Sequence, residues 1–220
     1  MTNTPAQLRI DFVADIVCPW CAIGLASLSQ ALQRLDGEVE AELHFQPFEL
    51  NPQLGPEGQD ISEHLQQKYG MTREQFANSQ EAIRQRGAAL GFTFDMGART
   101  RIWNTFDAHR LLWWAGAEAG HQADLERALF RAYFSEGRNI SDHAELARIA
   151  EGVGLRSDRA RELLASNEYA AAVREAERFW TGNGIQGVPA VIVDRRHLIS
   201  GGQPVEVFEQ ALREIAANRE

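Results

Sequence analysis

The sequence predicts an α/β protein that runs β-α-β, is interrupted by a long helical segment, and closes with α-β-β-α. Three observations carry this. Leu8, Ile10, Phe12 and Ala14 alternate with Arg9, Asp11, Val13 and Asp15, the period-2 pattern of a strand. The two cysteines of the 220-residue chain then stand three apart in Cys18-Pro19-Trp20-Cys21, on the turn into a helix. Far downstream, Gly187-Val188-Pro189 runs into the β-rich stretch Ala190-Val191-Ile192-Val193.

After the cysteine turn, Ile23, Leu25, Leu28, Ala31, Leu32 and Leu35 recur at helical spacing, and a second strand is expected from Val39 to Leu50. From about Gly58 to Asn167 the chain reads as consecutive helices. Asp60 with Glu63, Thr72 with Gln75 and Asn104 with Asp107 fit N-cap plus N3 patterns, and Ser141 and Ser157 are plain caps. Gly70, Gly120 and Gly137 stand where a left-handed C-terminal residue is wanted. Asn167 is expected to cap the returning helix, with Val173, Ala176 and Phe179 as its inner face. The end is a strand at Ala190, a turn at Arg195-Arg196, a strand at His197-Leu198-Ile199-Ser200, and a last helix carrying Val207, Phe208, Leu212 and Ile215.

Cysteines used this sparingly point to chemistry. With Cys18 as N-cap and Pro19 at the first helical position, the proline costs no hydrogen bond, and the Cys18 sulfur is expected to face unpaired N–H groups and the positive helix end. That geometry lowers a thiol pKa from about 8.5 to roughly 3.5 to 7. With Pro and Trp between the cysteines, a redox potential between roughly −270 and −120 mV is expected. A structural zinc site lacks a second cysteine pair, and the six histidines are scattered without ligand spacing, so no metal is expected. A structural disulfide over so short a loop would constrain the unfolded chain little. Inert buried thiols are the remaining plain reading.

The residues Cys18-Pro19-Trp20-Cys21, Phe48-Glu49-Leu50-Asn51-Pro52, Asn104-Thr105 with Ala108-His109-Arg110-Leu111, Ala132-Tyr133-Phe134 with Glu136-Gly137, and Gly187-Val188-Pro189 resemble DsbA-family oxidoreductases of the FrnE type over almost the whole chain. The resemblance implies a thioredoxin fold with an inserted all-helical domain, residues 1–57 and 167–220 forming the former and 58–166 the latter. It also implies a cis peptide at Val188-Pro189 packed against the cysteine turn. Cys18 would be the attacking cysteine, Cys21 the resolving one, and Pro189 the residue beside which a partner's backbone lies. Pro19, Trp20, Val188, Asn51, Asn104 and His109 are the expected substrate contacts; His109 fits a hydrogen-bonded structural role equally well. Two departures are visible: Pro-Trp replaces the Pro-His of periplasmic DsbA, and the additional cysteine pair of some FrnE-like proteins is missing.

Trp103, Phe106, Trp113 and Trp114 crowd one helix of the insertion; helix–helix core is the preferred reading over a cleft wall. Asp15, three residues before Cys18, is either a carboxylate acting on the thiol or a solvated strand end.

A net charge of −9 argues against nonspecific nucleic-acid binding, and 44% hydrophobic residues suffice for a core. Met1-Thr2-Asn3-Thr4-Pro5 has no basic region followed by an apolar run, and no stretch reaches membrane-spanning length. A cytoplasmic location is therefore expected, where a cysteine pair is catalytic or redox-responsive. The function expected is dithiol-disulfide exchange with protein or small-molecule thiols and disulfides, with glutathione as a co-substrate at most and no bound cofactor. The alternative is a glutathione-dependent isomerase or transferase resembling the hydroxychromene-carboxylate isomerases and kappa-class transferases, including an auxiliary step in polyketide biosynthesis. A redox-responsive binding module without turnover is the third class.

Overall fold

A computed structural model describes residues 4–218. The first three residues of the amino-terminal stretch discussed above lie outside the described residues. Strand β1 (Ala6–Ala14) leads into α1 (Pro19–Arg34) and then β2 (Val39–Pro47), and near the other end come α8 (Ala170–Gly182), β5 (Ala190–Val193), β6 (His197–Ser200) and α9 (Val205–Ala217). These strands make one sheet in the order β2-β1-β5-β6, with β1 parallel to β2 and antiparallel to β5. Phe12 of β1 sits in register with Phe45 of β2 and Val191 of β5, its ring 5.7 Å from that of Phe45. This is a thioredoxin fold, built from two stretches of sequence that meet where β1 pairs with β5 and where α9 packs on α1.

The expected second strand stops three residues early. Beyond Pro47 the Phe48 N–H still bonds the Ala14 carbonyl, but the Leu50 N–H is taken at 2.6 Å by the Asp15 carboxylate, which turns the chain off the sheet. As an outer strand, β2 exposes unpaired backbone groups, a feature that proteins cover. Gln122 does so here: its side chain accepts from the Phe45 N–H and donates to the Phe45 carbonyl.

Between β2 and α8 lie β3 (Gln59–Asp60), α2 (Ile61–Tyr69), α3 (Arg73–Ala89), β4 (Arg101–Ile102), α4 (Phe106–Trp114), α5 (Gln122–Phe134), α6 (His143–Gly152) and α7 (Ser157–Leu164). Asp60 caps α2, and Thr72 with Gln75 forms a capping box on α3. Gly70 ends α2 in the left-handed conformation; Gly120 does the same after the π-helical turn Ala115–Ala119 that continues α4. Other signals are offset by one or two residues. Asn104 accepts from the Phe106 N–H, but the cap position of α4 is Thr105. Asp142 rather than Ser141 caps α6, because its carboxylate reaches the Glu145 N–H, and Ser157 is already inside α7. Gly137 lies two residues beyond the C-cap of α5 yet is left-handed as expected, with φ 65°, and a Cβ there would also stand 2.4 Å from the Ala98 carbonyl oxygen.

Helix α8 corrects the expected inner face. It is capped by Tyr169, not Asn167, and Phe179 is 52% exposed while Trp180 is buried with Val173 and Ala176. Spacings of three and then four keep one helical face, and the Trp180 indole N–H finds the Gln46 side chain. The two-residue β3–β4 ladder had no sequence signal, being too short to alternate. Of the crowded aromatics, Trp114 is buried, and Trp103, Phe106 and Trp113 are half-buried.

Candidate active site

Cys18 is the N-cap of α1 and Pro19 its first residue, as the turn chemistry requires. The sulfur makes no hydrogen bond to the helix's first N–H groups, contrary to expectation. It points instead at the Val188 carbonyl, 3.6 Å away, because the loop before β5 closes over this turn. The Val188–Pro189 peptide bond is cis, and Pro189 lies so near α1 that a Cβ on Gly24 would meet its Cγ at 3.1 Å. Both cysteines are free thiols; Cys18 is 4% exposed and Cys21 fully buried. Burial, then the neighbouring Cys18, push the Cys21 thiol well above its usual range.

Asp15 is buried, which removes the solvated-strand-end reading. Its carboxylate holds the Leu50 N–H at 2.6 Å and lies 3.7 Å from His109 Nε2. His109 is also buried, its Nε2 3.1 Å from the Phe48 carbonyl. Burial alone would lower the His109 pKa, but Asp15, with help from Glu126 and Glu49, raises it. Glu126, wholly buried, has its pKa pushed up to about 8 by desolvation.

A cavity of about 300 Å³ opens beside Cys18, under α2 and α3. Pro19, Trp20, Asn51 and Val188 line it with Cys18. Asn104 and His109 are not brought to it. Asn104 donates to the Leu54 carbonyl and holds the loop before β3; His109 stands behind the cysteine turn, on the far side of Asp15. The lining adds residues that the motif did not indicate, among them Ile61, His64, Tyr69, Ile83 and Arg99. A helical segment of this sequence announces buried faces, not which of them a cavity interrupts. Among the described residues no group of three or more His, Cys, Asp and Glu is placed to hold a metal ion, and no helix is long and apolar enough to cross a membrane.

A thioredoxin fold with two cysteines at the start of α1 and a proline turn against them defines a thiol-disulfide oxidoreductase. The DSBA-like thioredoxin domain family model matches residues 9–213, so the chain belongs to that family. A probable DsbA oxidoreductase from Streptomyces coelicolor is 35% identical, with a TM-score of 0.91 over 97% of this chain and 92% of that one. The cytosolic disulfide reductase DsbM from Pseudomonas aeruginosa, solved with glutathione, is 17% identical, with a TM-score of 0.67 over 95% of this chain and 99% of that one. A 2-hydroxychromene-2-carboxylate isomerase is 16% identical, with a TM-score of 0.70 over 96% and 100%. The last two likenesses are of fold.

Proposed function

We propose that the protein is a cytoplasmic dithiol-disulfide oxidoreductase working through Cys18 and Cys21. The Cys18 thiolate attacks one sulfur of a substrate disulfide; a new S–S bond forms as the substrate's breaks, and the released thiolate takes a proton. Cys21 then gives up its proton and attacks the Cys18 sulfur, freeing the second substrate thiol and closing the internal disulfide. The protein loses two electrons and the substrate gains them. Reversal oxidises a dithiol, and the potential relative to the surrounding thiol pool sets the direction.

The observation that carries this reading is the asymmetry of the pair. Cys18 lines the cavity and meets the Val188 carbonyl, while Cys21 is sealed one turn behind it. An attacking sulfur must reach substrate, and a resolving one needs to reach only its neighbour. Pro189 and Val188 then form the ledge for a partner's backbone, and residues 58–166 act as an inserted unit that supplies the cavity wall opposite Pro19 and Trp20. Sparing cysteine use suits a reducing compartment, and fold likeness to a reductase described as cytosolic agrees with it.

The glutathione-dependent isomerase is the second reading, favoured by fold likeness to such an enzyme. It leaves Cys21 without a task, which is why we rank it below exchange. Two measurements separate them. The Cys18–Cys21 potential measured against glutathione should fall between roughly −270 and −120 mV. Calorimetric titration of glutathione onto Cys18→Ser, Cys21→Ser protein should show no saturable micromolar binding; such binding would transfer the assignment to the isomerase class.

A further inference from the structure

Arg99 and Arg110 are the buried arginines among the described residues, 5% and 3% exposed, and the fold treats them differently. The Arg110 guanidinium is fully engaged. It donates to the carbonyls of Leu163, Ser166 and Glu168 and to the Asp107 carboxylate. Arg99 lies over the rings of Tyr133 and Phe134, 5.7 and 5.2 Å from their centroids, with the Tyr133 hydroxyl beside it. Its Nε is buried without a hydrogen-bond partner, and among the described residues no carboxylate is paired with it. A buried guanidinium without a counter-charge is costly, and stacking on two rings offsets only part of that cost.

Arg99 lines the cavity that Cys18 lines. Although the chain carries a net charge of −9, no Asp or Glu among the described residues belongs to that lining. The other walls are mostly apolar, with Leu65, Met71, Phe76 and Ile83 facing the same space, and its volume of about 300 Å³ is at the small end of ligand pockets. A polypeptide segment would not place a charge at that depth; a small molecule with an apolar body and one anionic group would. A single planar guanidinium fork matches a carboxylate, whereas a phosphate dianion would leave charge uncompensated.

We propose that Arg99 anchors a carboxylate-binding subsite in this cavity, so that the substrate presented to Cys18 is a small organic disulfide whose apolar body bears a carboxylate. This rests on the reading of Cys18 as the attacking sulfur. The bonds made and broken are those of the exchange above; Arg99 positions the molecule and takes no part in electron transfer.

The test compares 4,4′-dithiodibenzoic acid with 4,4′-dithiodibenzamide, which share the aromatic body and the S–S bond. Turnover is driven by dithiothreitol, and each rate is divided by that of the disulfide's uncatalysed reaction with dithiothreitol. The full-length protein should prefer the acid by roughly tenfold or more in kcat/KM, expressed in KM, as a charge-assisted hydrogen bond in a desolvated site implies. Arg99→Gln should bring the ratio close to one. Equal use of acid and amide by the unmodified protein, or a preference that survives in Arg99→Gln, overturns the subsite. Should that variant not fold, competition on the unmodified protein decides: 4-tert-butylbenzoate must inhibit at least about tenfold more strongly than its amide, and equal inhibition overturns the proposal. Turnover of the diamide by the unmodified protein reports on the exchange reading separately, since its complete absence with both disulfides would remove that reading itself.

Discussion

The Cys18 sulfhydryl donates to the Val188 carbonyl oxygen at 3.6 Å across 170 residues of sequence. That contact joins the turn at the head of α1 to the loop before β5, at the proposed reaction centre. It also explains the sulfur's direction, since the carbonyl draws the S–H away from the first turn of α1. The cavity, the Val188–Pro189 turn and Cys21 are arranged around this one sulfur.

Cys21→Ser should accumulate mixed disulfides with substrate, and Cys18→Ser should form none. In the reduced protein, Cys21 should be alkylated more slowly than Cys18 at neutral pH, its rate still rising above pH 9, because burial holds its proton. Mass mapping of iodoacetamide adducts against pH checks both statements. Faster modification of Cys21 would exchange the two roles.

Stability should fall as pH rises through neutrality. The Glu126 pKa stands at about 8 in the fold against 4.5 for an ordinary glutamate, so its neutral form is the one the fold accepts. Below about 4.5 the group is protonated folded or unfolded; as pH climbs towards 8 the unfolded state is already ionised and the folded state must pay an increasing penalty. His109 acts in the same direction, since its raised pKa contributes stability that is lost as pH rises. Glu126→Gln should remove most of the slope and stabilise the protein at pH 8 by up to roughly 5 kcal/mol. Denaturant melts at pH 5, 6.5 and 8 would reveal it, and an unchanged slope would refute the role of Glu126.

Asp15→Asn should destabilise the fold by about 1–3 kcal/mol, because it weakens the acceptor that holds the Leu50 N–H and leaves buried His109 facing a neutral group. The His109 pKa should drop in the variant, which NMR titration of the ring would follow. A His109 that titrates as in the parent protein would mean that Asp15 does not govern it.

Gly202→Ala tests the close approach of the β6–α9 connection to α1. A Cβ at position 202 would stand 2.8 Å from the Trp20 carbonyl oxygen, a backbone atom with little freedom. The change should cost about 1–3 kcal/mol and disturb the Cys18 turn two residues away, lowering the thermal midpoint and slowing turnover together. Unaltered melting would show that the connection yields easily.

Much of this protein is determined by local sequence. The alternation through β1, the proline at the head of α1, the Thr72–Gln75 capping box and Gly70 act over a few residues, so their backbone geometry follows from steric and hydrogen-bonding rules that the sequence displays directly. The pairing of a cysteine turn with a late Val-Pro is also visible there, as a spacing and a resemblance.

The tertiary structure decided whatever depends on which side chain meets another from far along the chain. Phe179 and Trp180 are adjacent and both apolar, and the position of β2 chose the tryptophan for burial. Asn104 and His109 look alike as polar residues on a helix start, yet packing turned one to the Leu54 carbonyl and buried the other behind Asp15. Arg99 carries no motif at all. Its depth and its rings come from α5 and the cavity beside Cys18, and desolvation, which gives that charge its consequence, exists only once the chain has folded around it.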